Sequence, residues 1–194
     1  MKFPDSALCL FDAAALERTL QRMAHEILEK HTDLSLVALV GIPSRGVELA
    51  SRLGGMMRTL ASGSSQNEGS VPFCGAVDVS MHRDDLHVRW AVPAVQPTRL
   101  PDSLEGKTVI LVDDVLQSGR TCRAAMDAIS SFGRPERIEY AVLVDRGLRE
   151  LPIGADYVGR KLETVQGERV FVRLAPIDDK EGVWLERVEG LVNK

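Results

Sequence analysis

The sequence predicts an α/β fold, a parallel sheet flanked by helices with a small C-terminal hood. Three observations carry that expectation. Short apolar runs alternate with stretches of helical period, which implies right-handed βαβ crossovers. The run Val109, Ile110, Leu111 and Val112 is uninterrupted, as in a strand covered on both faces. Beyond residue 150 the alternation gives way to short strand-like pieces, read as the hood.

Each element has a local cause. Asp12 reads as the N-cap of a helix running to about Lys30, with Leu16, Leu20, Met23 and Ile27 as its apolar stripe. Leu34 to Val40 reads as the first core strand. GIPSRG (41–46) follows, and a helix is expected over Val47 to Leu60. The stretch ASGSSQNEGS (61–70) has little to bury and reads as a flexible loop. Phe73 to Val79 is the second strand, and a long, flexible excursion occupies about 80–106. Lys107 to Asp113 is the central strand. Arg120 to Phe132 is its helix, with Cys122, Ala125, Ile129 and Phe132 as the stripe, and Arg137 to Asp145 is the next strand. Tyr157–Val158 and Val170–Arg173 are assigned to the hood, about 151–194, of a single domain covering 1–194.

Composition narrows the class. Hydrophobic content of 44% and charged content of 27% are near the averages for globular chains. No apolar run approaches the ~20 residues that span a bilayer, and MKFPDSALCLFD lacks the apolar core of a signal peptide. Cys9, Cys74 and Cys122 form no CxxC pair, so neither a zinc site nor a disulfide framework is indicated, and a reducing cytoplasm is expected. A net charge of −4 argues against a wholly basic nucleic-acid binder but leaves room for a local basic patch.

The chemistry gathers at the central strand. Asp113 and Asp114 emerge together at its carboxyl end, where ligands sit in open parallel sheets. Val115 and Leu116 lead to Gln117, Ser118, Gly119, Arg120 and Thr121, a turn that opens a helix and so presents unpaired N–H groups to an anion. Paired acids beside a phosphate cradle point to a sugar phosphate, with the carboxylates on ribose hydroxyls or on water around a metal. In GIPSRG, Gly41 and Gly46 let backbone approach a ligand closely, while Ser44 and Arg45 suit a diphosphate. Arg83, beside Asp84 and Asp85, stands at the start of the excursion, where a moving loop can close on a leaving diphosphate. Arg18, Arg22 and His25 share one helix face. With Arg146, Arg149, Arg160 and Lys161 they could make a phosphate-reading patch.

VILVDDVLQSGRT (109–121) resembles the signature of the type I phosphoribosyltransferases, which bind 5-phosphoribosyl-1-diphosphate (PRPP). RDDL (83–86), that signature, GRP (133–135), AVLVDRG (141–147) and RELPI…ADYVG (149–159), in this order and spacing, resemble the PyrR family over about residues 8–175. Its members regulate pyrimidine operons by attenuation and carry uracil phosphoribosyltransferase activity. The resemblance implies the type I phosphoribosyltransferase fold, a homodimer or higher oligomer, and transfer of phosphoribosyl from PRPP to uracil with Mg²⁺, giving UMP and pyrophosphate. It implies that Asp113, Asp114 and Arg83 serve catalysis and that the two acids hold the metal only through water. It places the 5′-phosphate at Ser118–Thr121, pyrophosphate at Ser44 and Arg45 across a cis peptide joining those two residues, and the base beside the backbone of Asp145, Arg146, Tyr157 and Val158. Arg18, Arg22, His25 and Arg149 are the residues it implies for leader mRNA, with UMP or UTP as the signal. Two alternatives stay open: a nucleotide-sensing regulator with vestigial catalysis, and a purine phosphoribosyltransferase acting on hypoxanthine or guanine. The chain departs from the family pattern at His82 and Gln117, where Tyr is usual, at Leu148 for His, and at Gly154 for Arg.

If Arg83 acts on the leaving diphosphate, Arg83→Ala lowers kcat more than it weakens UMP binding. Steady-state kinetics set beside a UMP titration check this, and equal losses would reject the role.

Overall fold

The computed structural model describes residues 7–62, 70–82 and 97–187. Most of the expected 61–70 loop and the 83–96 part of the excursion, Arg83 included, lie outside the described residues. In chain order the elements are β1 (Leu8–Asp12), α1 (Ala13–Lys30), β2 (Val37–Gly41), α2 (Arg45–Ala61), β3 (Phe73–Ala76), β4 (Thr108–Leu116), α3 (Arg120–Phe132), β5 (Arg137–Asp145), β6 (Tyr157–Lys161), β7 (Arg169–Arg173) and β8 (Gly182–Glu186). Five strands form a parallel sheet in the order β3-β2-β4-β5-β6, and a second, antiparallel sheet has the order β1-β8-β7.

The parallel sheet is buried on both faces, which is why its strands read as unbroken apolar runs. Ile110 and Val112 of β4 face one core with Leu39, Leu143 and the stripes of α1 and α2. Val109 and Leu111 face the other core, with Val142 and the α3 residues Cys122, Ala125 and Ile129. Leu16, Leu39, Leu53 and Ile110 are fully buried. Each such side chain contributes about 1.5–3 kcal/mol relative to exposure. Asp12 caps α1 as its residue type predicts, its carboxylate accepting from Ala15 N at 2.8 Å.

Four differences from the sequence expectation have local physical reasons. Leu34–Leu36 is a 3₁₀ turn rather than strand, because Asp33 Oδ1 accepts from Ser35 N and Oγ at 2.9 and 2.7 Å and bends the chain before β2. Helix α2 begins at Arg45 instead of Val47, since the 41–46 turn closes tightly against β4. Phe132 is 60% exposed, and Ala128 takes the position on the buried stripe of α3.

The fourth difference concerns the hood. Strand β6 belongs to the main sheet, pairing parallel with β5. Asp156 clips it there by exchanging bonds with Tyr140: Asp156 N donates to Tyr140 O, and the Asp156 carboxylate accepts from Tyr140 N. The hood sheet instead unites the two chain ends, with β1 against β8 and β8 against β7. Arg99 bridges antiparallel to Ala76, covering the outer edge of β3.

Gly46 and Gly55 lie on the same helix and respond oppositely to a methyl group. At Gly46 it would meet the Val112 carbonyl oxygen at 2.3 Å, whereas at Gly55 nothing lies within 4 Å. Gly46→Ala is therefore expected to destabilise the fold by about 1–3 kcal/mol through overpacking. Gly55→Ala is expected to stabilise it by roughly 0.5–1 kcal/mol through helix propensity. Thermal melts of the two variants check the sign at each position.

Candidate active site

Strand β4 is longer than β2, and that mismatch creates the site. Pairing with β2 stops at Gly41 opposite Val112, while pairing with β5 continues to Leu116 opposite Asp145. Past Val112 the strand therefore presents an edge that β2 does not cover. Asp113 and Asp114 stand on that edge, and Ile42 N closes the last bond of the β2 side on Val112 O at 2.9 Å.

Asp113 is buried and Asp114 half-buried. Asp113 is 7% exposed and accepts from the Tyr140 hydroxyl at 3.2 Å and from Asp114 N at 2.9 Å. Burial first, and the neighbouring Asp114 charge second, push the Asp113 carboxyl well above the usual carboxylate range. Asp114 is also raised by burial, although the Arg45 charge works in the opposite direction. The pair is only partly offset, by the Arg45 charge at Asp114 and the Tyr140 hydroxyl at Asp113.

Beyond the acids the chain turns into α3 through Gly119, whose φ of 90° is open to glycine at little cost. Gly119 as N-cap offers no side chain, and Ser118 Oγ accepts from Arg120 N at 3.3 Å, so the turn opens the helix with the helix dipole behind it. Ser118 O accepts from Glu150 N and Leu151 N, and Arg149 Nη1 donates to Gln117 O, so the 147–153 loop braces the turn.

A cavity of about 530 Å³ joins these parts. Asp114, Val115, Leu116, Gln117, Ser118, Gly119 and Thr121 form one wall, Tyr140 and Arg146 the floor side, and Arg169, Val170 and Phe171 of β7 the opposite wall. Cys122 also lines it, but burial pushes its thiol up to about 12, which leaves it no thiolate at neutral pH.

The sequence-predicted residues are distributed unevenly. Asp114 to Gly119, Thr121 and Arg146 line the cavity. Arg120 instead donates from Nε to Glu150 at 2.7 Å, and Asp113 is buried behind the lining against the Tyr140 hydroxyl. The side chains of Val109 to Val112 are core. Ser44 lines a neighbouring hollow with Pro43 and Val47, and Arg45 is close enough to Asp114 to lower its pKa. The cis peptide in this turn joins Pro43 and Ser44, one bond earlier than Ser44–Arg45. Ser44 already has αR geometry as the N-cap of α2, so Ser44–Arg45 is part of the helix start.

Tyr157 points away from the cavity. Its hydroxyl donates to Glu139 at 2.7 Å, and His31 Nε2 lies 2.9 Å from the same carboxylate. Val158 packs against the core on the α3 side of the sheet. Asp145 accepts from Arg149 Nη2 at 2.6 Å and from Gly147 N at 3.0 Å. The Arg146 guanidinium donates to Thr164 Oγ1 and Glu168 O, tying the strand end to the segment before β7.

Of the basic face, Arg22 donates to Val158 O, Gly159 O and Glu26, while Arg18, Arg22 and Arg160 border a common hollow with Phe11. Arg149 is absorbed into the loop through Ile153 O, Gln117 O and Asp145, and so braces the 117–121 turn from within.

Sequence reasoning missed Arg169, Val170 and Phe171 as cavity residues. The alternating segment RVFVR signals a strand, but which neighbour its aromatic faces is decided by pairing with β8. Tyr140 was equally invisible, as one apolar position in a buried run.

A family model for the phosphoribosyl transferase domain matches residues 8–176. The bifunctional protein PyrR of Leifsonia xyli subsp. xyli is 49% identical over 173 residues, covering 89% of this chain and 93% of that protein. The bifunctional protein PyrR of Chloroflexus aurantiacus is 48% identical over 178 residues, covering 92% and 94%. Among solved structures, a hypoxanthine-guanine phosphoribosyltransferase from Bacillus anthracis superposes with a TM-score of 0.66 at 16% identity, over 97% of this chain and all of that one. At that identity the likeness is one of fold. No described helix is long and apolar enough to cross a membrane.

Because burial raises both acids, their ionisation costs the fold stability as pH rises above the ordinary value of 3.8. The double variant Asp113→Asn, Asp114→Asn removes that cost. Its Tm at neutral pH is expected to exceed that of the parent by a few degrees, the change that about 1 kcal/mol brings in a chain of this size. The gap should close below the ordinary value, where the parent's acids are protonated too. Melts across pH 3 to 8 check this, and a variant that is less stable at pH 7 would contradict it.

Proposed function

The chain belongs to the PyrR family of the phosphoribosyl transferases, and we propose on that footing that it transfers phosphoribosyl from PRPP to uracil, giving UMP and pyrophosphate. The observation that carries the reading is the adjacent acid pair at the end of β4, only partly offset by Arg45, set beside the glycine-capped start of α3. A ribose 5-phosphate needs both. Its hydroxyls donate to carboxylates, and its phosphate accepts from the amides of the 118–121 turn.

The reaction demands positioning more than covalent chemistry. As pyrophosphate leaves, C1 of the ribose becomes oxocarbenium-like. The residues here hold the sugar, steady the departing charge and exclude water. Asp113 and Asp114 orient the ribose, Ser118 to Thr121 the 5′-phosphate, and Ser44 with Arg45 the pyrophosphate. Phe171 on β7 and the strand ends near Asp145 and Arg146 leave a slot between hood and sheet for a planar base.

Two adjacent carboxylates, with no group of three or more metal ligands among the described residues, fit a largely hydrated divalent ion rather than a protein-caged one. Asp113 and Asp114 would hold Mg²⁺ through its water, and when bound it supplies charge neutralisation on the diphosphate.

The same reading includes uridine-nucleotide-dependent binding of pyrimidine leader RNA, through the hollow of Arg18, Arg22 and Arg160 and the separate hollow that His25 lines with Gln21 and Arg52, in a cytoplasmic homodimer or higher oligomer. Arg149 serves the phosphate turn instead. Specific RNA binding through several phosphates would weaken steeply with salt, and flat, weak binding would remove this part of the proposal.

The deciding experiment is turnover with PRPP, Mg²⁺ and, separately, uracil, hypoxanthine and guanine. UMP from uracil alone is expected. Nucleotide from a purine would overturn the base assignment, and no nucleotide with UMP still bound would make this a sensor. The Asp113→Asn, Asp114→Asn variant is expected to lose PRPP binding while remaining folded, as followed by calorimetric titration.

A further inference from the structure

The arginine of the 41–46 turn has a fixed partner in a distant part of the chain. Arg45 Nε and Nη2 donate to Oδ2 and Oδ1 of Asp178 at 2.9 and 2.8 Å. This is a two-pronged ion pair between the first turn of α2 and the segment that follows β7.

Asp178 is itself immobilised. Arg173 Nη1 donates to Oδ1 at 2.7 Å, Leu174 N donates to Oδ2 at 3.0 Å, and Asp178 N donates to Leu174 O at 2.8 Å. The side chain is 5% exposed. Burial alone would raise its carboxyl, yet the bonds from Arg45, Leu174 and Arg173 outweigh that and hold it at about 2, so it is ionised at any working pH. A second tether lies seven residues along α2, where Arg52 donates to Glu181 at 2.7 and 3.1 Å. The segment carrying Asp178 is therefore pinned to α2 at two points.

The fork uses only one edge of the guanidinium. Arg45 donates no hydrogen bond from Nη1 to the described residues. An approaching anion thus meets unspent N–H groups of a guanidinium already held in place. Held this way, Arg45 sits near enough to Asp114 for its charge to reach that carboxylate.

We propose that Asp178 is a positioning residue for the diphosphate of PRPP: by gripping the Nε edge of Arg45 it fixes the remaining N–H groups toward the pyrophosphate turn. The inference rests on the reading of that turn as the pyrophosphate subsite. An unrestrained arginine must be ordered each time diphosphate binds, and Asp178 removes that entropic cost beforehand. It also ties Arg45, through the short 171–178 stretch, to the wall that bears Phe171.

The test is Asp178→Asn in the full chain, with Mg²⁺ present, reading Kd for PRPP, pyrophosphate and UMP together with KM and kcat. Asn keeps the size and one acceptor oxygen but loses the charged fork. PRPP and pyrophosphate are expected to bind about tenfold more weakly, with the KM for PRPP rising in step. UMP, which has no diphosphate, should stay within twofold, as should the KM for uracil. In an Arg45→Gln background, Asp178→Asn should add nothing to the loss of PRPP affinity, since the effect passes through Arg45.

Unchanged or tighter PRPP binding would overturn the proposal, the latter marking Asp178 as a competitor for Arg45. Equal losses for UMP and PRPP would overturn it too, as the sign of a merely structural role. If Asp178→Asn does not stay folded, Asp178→Glu carries the same comparison, because it keeps the charge and displaces the fork. A parent protein that binds UMP but no PRPP would instead refute the reading of the pyrophosphate subsite itself.

Discussion

The uncovered edge of β4 is the constraint on which the rest of the molecule depends. A strand flanked on both sides along its whole length would have its polar groups consumed by the ladder. Here the β2 side ends at Val112 while the β5 side runs to Leu116. Four residues of strand therefore stay rigid through one neighbour and open toward the other. The arrangement gives Asp113 and Asp114 the fixed geometry of a sheet, with Asp113 buried and Asp114 at the cavity wall.

The protein tolerates a local cost for this. Two adjacent carboxylates withdrawn from water are raised in pKa by burial and, at Asp113, by mutual repulsion. Within the fold, Asp113 accepts from the buried Tyr140 hydroxyl, and the residues packed around it are otherwise largely apolar. Such a cost, concentrated where a ligand of opposite character would relieve it, is what the proposed sugar-phosphate site calls for. The compensation lies elsewhere, in the doubly buried sheet and in α1 and α2 packed against it.

The hood gives the site its second wall, and it is held by charge as much as by apolar contact. Arg45 with Asp178 and Arg52 with Glu181 fasten α2 to the chain beyond β7, while Arg146 fastens the end of β5 to the segment before it. Three of the protein's arginines thus act as braces between sheet and hood, and Arg149 braces the 117–121 turn. An arginine count taken from sequence would have assigned several of these to a partner's phosphates.

Much was determined by the sequence alone. The apolar run before Asp113, the turn from Gln117 to Thr121 and the bounds of α1, α3 and β5 follow from local pattern, because burial on two faces, capping and helical period are short-range properties. The order of motifs was enough to indicate the family. What only the tertiary structure decided involves partners far apart in sequence: β6 joining the main sheet through Asp156 and Tyr140, β1 closing the hood with β8, and Phe171 rather than Tyr157 facing the cavity. The same holds for Arg45 and Asp178, 133 residues apart. Such pairings depend on how strands are ordered and which face of each meets its neighbour. Side-chain period records that a face is buried, but not against what.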